Sequence, residues 1–183
     1  MVKKKIGQSF LELISGNIVK QETEAIVNAA NKMLAPGGGV AGAIHRAAGY
    51  GLWEECKKLG GCKTGEAKLT SGCNLKTKYI IHTVGPVYSG RREDAQDLKN
   101  SYYNSLKLAM EHGIKSISFP SISTGVFSYP IKEASFIALK TVLDYLSEHK
   151  EINLVRFVLF SAKDLLAYKQ SLERIESVDY HNK

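Results

Sequence analysis

The sequence predicts an α/β domain built on a largely parallel sheet, and three observations carry that expectation. Short runs rich in Ile, Val and Phe alternate along the chain with segments of helical periodicity. The runs have the composition of buried strands covered on both faces. The chain has 183 residues, 44% hydrophobic and 23% charged, which suits one domain with a single sizeable core.

In chain order, FLELISGNI (residues 10–18) and EAIVNAA (24–30) read as the first two strands. Val40, Ala43, Ile44, Ala47 and Ala48 then fall at i, i+3, i+4, i+7 and i+8, one face of a helix. KYIIHTV (78–84) is a third strand, and Leu98, Tyr102, Leu106 and Ala109 share a second helical face. SISFPSI (116–122) leads toward Pro130, a residue tolerated at a helix start, behind which Ile131, Ala134, Ala138, Leu139, Val142 and Leu146 form a third stripe. NLVRFVLF (153–160) is the last strand, and Leu165, Tyr168, Leu172 and Ile175 mark the last helix. No internal repeat or linker interrupts the pattern, so residues 1–183 read as one domain. Residues 1–5 and 177–183 read as frayed tails.

Composition narrows the function classes. Twenty-five Lys and Arg against 18 Asp and Glu leave a net charge of +7, which favours polyanionic ligands. The basic residues are dispersed, with tight clusters only at Lys3 to Lys5 and Arg91-Arg92, and no basic stripe is interleaved with aromatics. Nucleic acid is therefore not the expected partner. No apolar run approaches the ~20 residues of a membrane span, and the basic start lacks the apolar stretch of a signal peptide. A cytoplasmic location is expected. Cys56, Cys62 and Cys73 do not have zinc-site spacing, so no metal is expected and the thiols read as buried or inert. His45 and His82 stand without Cys or carboxylate partners at ligand spacing and read as structural. Trp53 and Tyr129 read as packing residues.

The stretch NAANKMLAPGGGVAGAIHR (28–46) demands an explanation, because glycine runs weaken structure unless something needs the bare backbone. GGGVAG (37–42) satisfies G-x-G-x-x-G, yet NKMLAP separates it from the strand and no second strand ends in an acid about 20 residues on. GCKTG (61–65) lacks the glycine before lysine that a Walker loop requires. What remains is shared physics: main-chain N–H groups of a glycine-rich turn and the helix start behind it form an anion cradle. SISTGVFSYP (121–130) is a second loop of this kind, following a buried strand and preceding a helix. Two such loops at the carboxyl edge of one sheet point to a ligand containing a diphosphate.

The motifs SGNI, AIVNAAN, GGGVAGAIHRAAG, CKTGEAK, YIIHTVGP and FPSISTGVFSYP, in this order across residues 6–176, resemble the macrodomains, most closely the MacroD-type branch. The resemblance implies a three-layer α/β/α sandwich with a mixed, mostly parallel sheet. It implies binding of ADP-ribose, or hydrolysis of its linkage to protein carboxylates or to acetate in O-acetyl-ADP-ribose, with no cofactor. By position, Asn17 and Ile18 would meet the adenine and Phe160 would pack on its ring. Gly37, Gly38, Gly39, Val40, Ala41 and Gly42 would embrace the distal ribose and one phosphate. The main chain of Ser123, Thr124, Gly125, Val126 and Phe127 would hold the diphosphate, and Asn31 would bond the distal ribose as the catalytic residue. Asn28 would either touch the ligand or stabilise the loop, since Asn side chains mimic backbone turns.

Two departures bear on function. Asn17 stands where the family commonly has Asp; exchanging a charged acceptor for a neutral one costs ~1 kcal/mol of affinity, somewhat under tenfold. Ala41 stands where MacroD-type chains carry the Asp assigned to water activation. General-base catalysis contributes about 10² to 10⁴ in rate, so turnover would fall by that much unless the substrate's own phosphate activates the water. Two readings stay open, an ADP-ribosyl hydrolase and a non-catalytic ADP-ribose reader. A third, an NAD(P)-dependent oxidoreductase, rests on GGGVAG alone.

Overall fold

The computed structural model describes residues 1–181. In chain order it contains β1 (Val2–Ile6), β2 (Ser9–Ser15), a 3₁₀ turn (Ile18–Lys20), β3 (Ala25–Ala29), α1 (Gly39–Ala48) and α2 (Tyr50–Lys58). There follow β4 (Ala67–Ser71), β5 (Tyr79–Thr83), α3 (Arg92–Glu111), β6 (Ser116–Phe119), α4 (Ile131–Glu148), β7 (Leu154–Leu159) and α5 (Ala162–His181). Among the described residues one sheet runs in the order β1-β2-β7-β6-β3-β5-β4. Its five inner strands are parallel, and β1 and β4 close the edges antiparallel. No helix of the described residues is long and apolar enough to cross a membrane.

Strand alternation distributes the apolar side chains between two cores. Val27, Ile81 and Phe157 face α3, α4 and α5, meeting Leu98, Tyr102, Leu139, Val142 and Tyr168. Ile26, Ile80 and Val158, each one residue out of phase, face α1 and α2 and meet Ile44, Ala48, Leu52 and Cys56. Each buried Ile or Leu contributes about 1.5–3 kcal/mol. The result is the expected three-layer α/β/α sandwich with a mixed, mostly parallel sheet.

The N-terminal residues correct one expectation. Residues 1–5 were expected to fray, but Val2–Ile6 is an edge strand whose alternate residues Val2, Lys4 and Ile6 are half-buried. Lys3 lies opposite Glu12 in the register and pairs with it at 3.2 Å, while Lys4 pairs with Glu176 on α5. An edge strand carrying inward and outward lysines resists pairing with other chains. The expected C-terminal tail is corrected in part, because α5 continues through His181; residues 182–183 lie outside the described residues. β4 and α2 complete the fold without having stood out as periodic runs.

This architecture positions a crevice. β3 and β6 are parallel neighbours, yet β3 leads into α1 on one face of the sheet and β6 leads toward α4 on the other. Ligands in open α/β sheets bind at such a switch point, outside the carboxyl ends of the strands.

Candidate functional site: a cleft between two amide-lined loops

The loop after β3 is shaped by one side chain. Asn31 Oδ1 accepts the main-chain N–H groups of Met33 (3.1 Å) and Ala35 (3.0 Å), and its Nδ2 donates to the Ala35 carbonyl (2.8 Å). Within this staple Leu34 adopts φ +56° with its side chain fully buried in the smaller core. The chain then reaches Gly37 and Gly38, and α1 starts at Gly39 without a side-chain cap. The amides of Gly37, Gly38, Gly39, Val40 and Ala41 donate to nothing among the described residues. Open first-turn amides and the positive end of the helix dipole together favour an anion.

The loop after β6 is anchored from the aromatic core. Tyr102 packs on Phe119 and Phe157 at 5.2 and 5.9 Å between ring centroids, and its hydroxyl accepts the Ile122 N–H at 3.0 Å. Tyr168 donates to Ser121 Oγ at 3.0 Å. The loop returns on itself through Tyr129 N–H to the Ser123 carbonyl and is tied to the neighbouring connection through Tyr88 N–H to the Phe127 carbonyl, both 2.9 Å. Tyr129 is buried against Tyr88, centroids 4.8 Å apart, as a packing residue. Ser123 sits at φ +66°, a conformation that costs a non-glycine residue about 1–2 kcal/mol. Such strain persists only where the surroundings enforce it. The five successive amides of Ser123 to Phe127 again donate to nothing among the described residues.

The two loops face each other across a cleft of about 330 Å³. Asn31, Gly37 to Ala41, Ser123, Gly125, Val126 and Phe127 line it, joined by Ala29, Ala30 and Ser121, which had not been singled out. The signal for these three lay inside AIVNAAN and SISTG, where short side chains leave room beside the backbone. No lining side chain is an acid, a base or a thiol.

Other sequence candidates lie elsewhere. Asn17 Oδ1 accepts the Val19 N–H at 3.1 Å and so caps the 3₁₀ turn after β2, with Ile18 buried beneath it. Phe160 follows β7 and is 90% exposed. These three residues stand at the carboxyl ends of β2 and β7, beyond the cleft itself. Thr124 turns its hydroxyl back to Ser121 Oγ at 2.9 Å. Gly42 is a correction: it packs under the loop, where any side chain would overlap the Gly37 carbonyl oxygen.

Asn28 is a second correction, since it is fully buried within β3 and does not line the cleft. Its Nδ2 donates to His82 Nδ1 at 3.1 Å, His82 Nε2–H donates to Thr70 Oγ1 at 2.8 Å, and Thr70 donates to the Ser71 carbonyl. Burial pushes the His82 imidazole down to about 3, which keeps it neutral and makes this chain a structural link between β3, β5 and β4. Burial lowers His45 as well, and neither of its ring nitrogens has a partner among the described residues. Cys56 and Cys62 are buried and burial pushes their thiols up to about 11, so both are inert; Cys73 is exposed. No group of His, Cys, Asp and Glu among the described residues is arranged to hold a metal ion. Trp53 is half-buried against the smaller core, with the Lys57 ammonium 5.8 Å from its ring centroid.

A family model described as Macro domain matches residues 27–138, which include the end of β3, both loops and the start of α4. The chain belongs to the macro domain family. The ADP-ribose glycohydrolase MACROD2 of Homo sapiens is 45% identical over 184 residues, covering 99% of this macro domain and 43% of that longer protein. The Oceanobacillus iheyensis macrodomain with ADP superposes with a TM-score of 0.93 at 43% identity, over 96% of each chain. The Trypanosoma brucei macrodomain in complex with ADP-ribose superposes with a TM-score of 0.84 at 40% identity, over 88% of this chain and 68% of that one. Nothing in these likenesses supports the oxidoreductase reading of GGGVAG.

Proposed function

We propose that this macro domain binds ADP-ribose across the β3–β6 switch point and hydrolyses the ester joining ADP-ribose to a protein carboxylate or to acetate. One observation carries the reading: ten main-chain N–H groups, five from each loop, lack an acceptor among the described residues, and nine of the ten residues that bear them, all but Thr124, line one cleft. A diphosphate flanked by two riboses has the charge and length to use both rows. The adenine would extend toward Asn17, Ile18 and Phe160, and the distal ribose would lie beside Asn31. The ligand-bound macrodomains of O. iheyensis and T. brucei and the glycohydrolase MACROD2 support this assignment.

The chemistry must respect what lines the cleft. Both lone pairs of Asn31 Oδ1 are already used within its own loop, so Asn31 meets a ribose hydroxyl as a donor through its second Nδ2–H. For the ester to a protein carboxylate, water adds its oxygen to the anomeric carbon of the distal ribose, the bond from that carbon to the acyl oxygen breaks, and the carboxylate leaves. A carboxylate leaving group with a pKa near 4 needs no protonation, so the only proton to move is the water's. With no titrating side chain on the walls, the acceptor is the ligand's own phosphate, a weak base, and turnover is slow. The same feature favours the second reading, a reader that binds without cleaving.

Calorimetry tests binding first: ADP-ribose is expected in the micromolar range and NAD at least ~10-fold weaker, about 1.4 kcal/mol, because the glycine loop closes round the distal ribose and crowds a rigid ring fixed directly to it, whereas a flexible ester linker can turn away into neighbouring space. Equal affinities, or no heat at millimolar ADP-ribose, would sink the assignment. A glutamate-linked mono-ADP-ribosylated substrate, incubated with the protein and with Asn31→Ala, then separates hydrolase from reader.

A further inference from the structure

The carboxyl edge of the sheet carries a second depression, about 340 Å³, at the exit of β5. Asn31 and Phe127 line both this depression and the first cleft, so the two adjoin at Asn31, assigned to the reacting end of the ligand, and at the last residue of the second loop. Strand order gives the direction. The carboxyl ends of β2 and β7 come first, those of β6 and β3 next, and that of β5 last. A ligand running from Phe160 past the open amides to Asn31 therefore meets the β5 exit next, and whatever is attached beyond its distal ribose enters the second depression.

We propose that this depression is an acceptor subsite for the polypeptide from which ADP-ribose is removed, and that it favours a cationic residue beside the modified carboxylate. The proposal rests on the ADP-ribose reading above. An acetyl group needs only a small part of the space, whereas a stretch of polypeptide fits it. The walls combine exposed Val87 and half-buried Phe127 with Lys32, Asp94 and Asp97. Asp94 is committed, its carboxylate accepting the Ser89 N–H (2.7 Å) and hydroxyl (3.0 Å), and it remains a fixed negative charge. The Asp97 carboxylate and the Lys32 ammonium have no partner among the described residues. Two negative charges against one positive reverse, at this spot, the sign of a protein whose net charge is +7. A Lys or Arg flanking the modified residue can pair with Asp97, while Lys32, one residue from Asn31, stands at the end where a carboxylate is released.

The test uses two synthetic peptides carrying ADP-ribose on a side chain through a hydrolysis-resistant linkage, with either Arg or Glu as the neighbouring residue, and free ADP-ribose beside them. Calorimetry is expected to give the Arg peptide about 3- to 5-fold tighter binding than the Glu peptide at low salt, with the gap closing at high salt. Asp97→Lys should reverse the preference and Asp97→Asn flatten it, with the affinity for free ADP-ribose and the melting temperature unchanged. If free ADP-ribose binds while the two peptides bind alike and neither variant moves them, the subsite is overturned. If free ADP-ribose itself does not bind, the underlying reading falls and the subsite falls with it.

Discussion

The two loops that face each other across the cleft use glycine for opposite purposes. In the loop after β3, two glycines are required by the protein itself: Gly39 takes φ +55°, and Gly42 leaves room for the Gly37 carbonyl against α1, whereas Gly37 and Gly38 have no such need. In the loop after β6, the left-handed positions belong to Ser123 and Ser128, at φ +66° and +59°, and are enforced by tertiary contacts. The glycine of that loop, Gly125, has no positive φ and nothing within 4 Å of where a Cβ would stand. Neither conformation nor packing explains it, whereas the proposed ligand, which must approach its backbone, does. A glycine-rich motif therefore mixes positions needed for folding with positions needed for binding, and only the structure tells them apart.

The largest expected effect breaks the first half of this contrast. In Gly42→Val the new side chain overlaps the Gly37 main chain, which cannot yield cheaply, and also meets the flexible end of Arg46, which can swing aside. Stability should fall by about 3 kcal/mol or more, at the upper end of overpacking effects, and ADP-ribose binding should fail with it. Urea denaturation measures this. A midpoint equal to that of the parent would mean that the loop can move aside and that Gly42 is not structural.

Next in size is Gly125→Val, which tests the other half. Its side chain projects into open space on the cleft wall, so the urea midpoint should stay within ~0.5 kcal/mol of the parent. Affinity for ADP-ribose should nevertheless drop at least ~100-fold, about 2.7 kcal/mol. Loss of stability without loss of affinity would exchange the roles assigned to the two glycines.

How much of this was legible beforehand follows from the same physics. The inner strands and four of the helices announce themselves because burial on one or both faces imposes a periodic pattern. β1 did not, because VKKKI is an edge strand whose inward positions include a lysine, neutralised by Glu176 contributed from the far end of the chain. The loops were legible as glycine-rich turns at the carboxyl edge of the sheet, since each follows a buried strand and precedes a helix. Their internal division was not: Asn28 and Asn31 look interchangeable in NAAN, but strand alternation sends Asn28 into the interior toward His82, while Asn31 lies past the strand end and staples the loop. The second cleft takes Asn31, Thr64 and Val84 to Pro86 from quoted motifs, but its charged residues had no signature, because Lys32, Asp94 and Asp97 converge from separate segments without motif spacing.

The smallest predicted effect concerns the contrast in chemistry rather than in backbone, at the one position of the glycine loop where the resemblance and this chain disagree. Ala41 is the third residue of α1, is 6% exposed and lines the cleft, and the first turn of that helix carries no acidic residue. In Ala41→Asp the new carboxylate gains about 0.3–1 kcal/mol from the helix dipole, which offsets part of its desolvation. Desolvation and the nearby diphosphate both raise its pKa, and a carboxylate with a raised pKa is a better base for water. Hydrolysis of a glutamate-linked substrate should rise ~10-fold under single-turnover conditions, within the range of general-base catalysis. Charge repulsion should weaken ADP-ribose binding by less than ~10-fold, about 1.4 kcal/mol, so rate and affinity must be measured separately. A variant that binds ADP-ribose as the parent does and cleaves no faster would show that position 41 does not face the attacking water, leaving the phosphate of the substrate as the base in this protein.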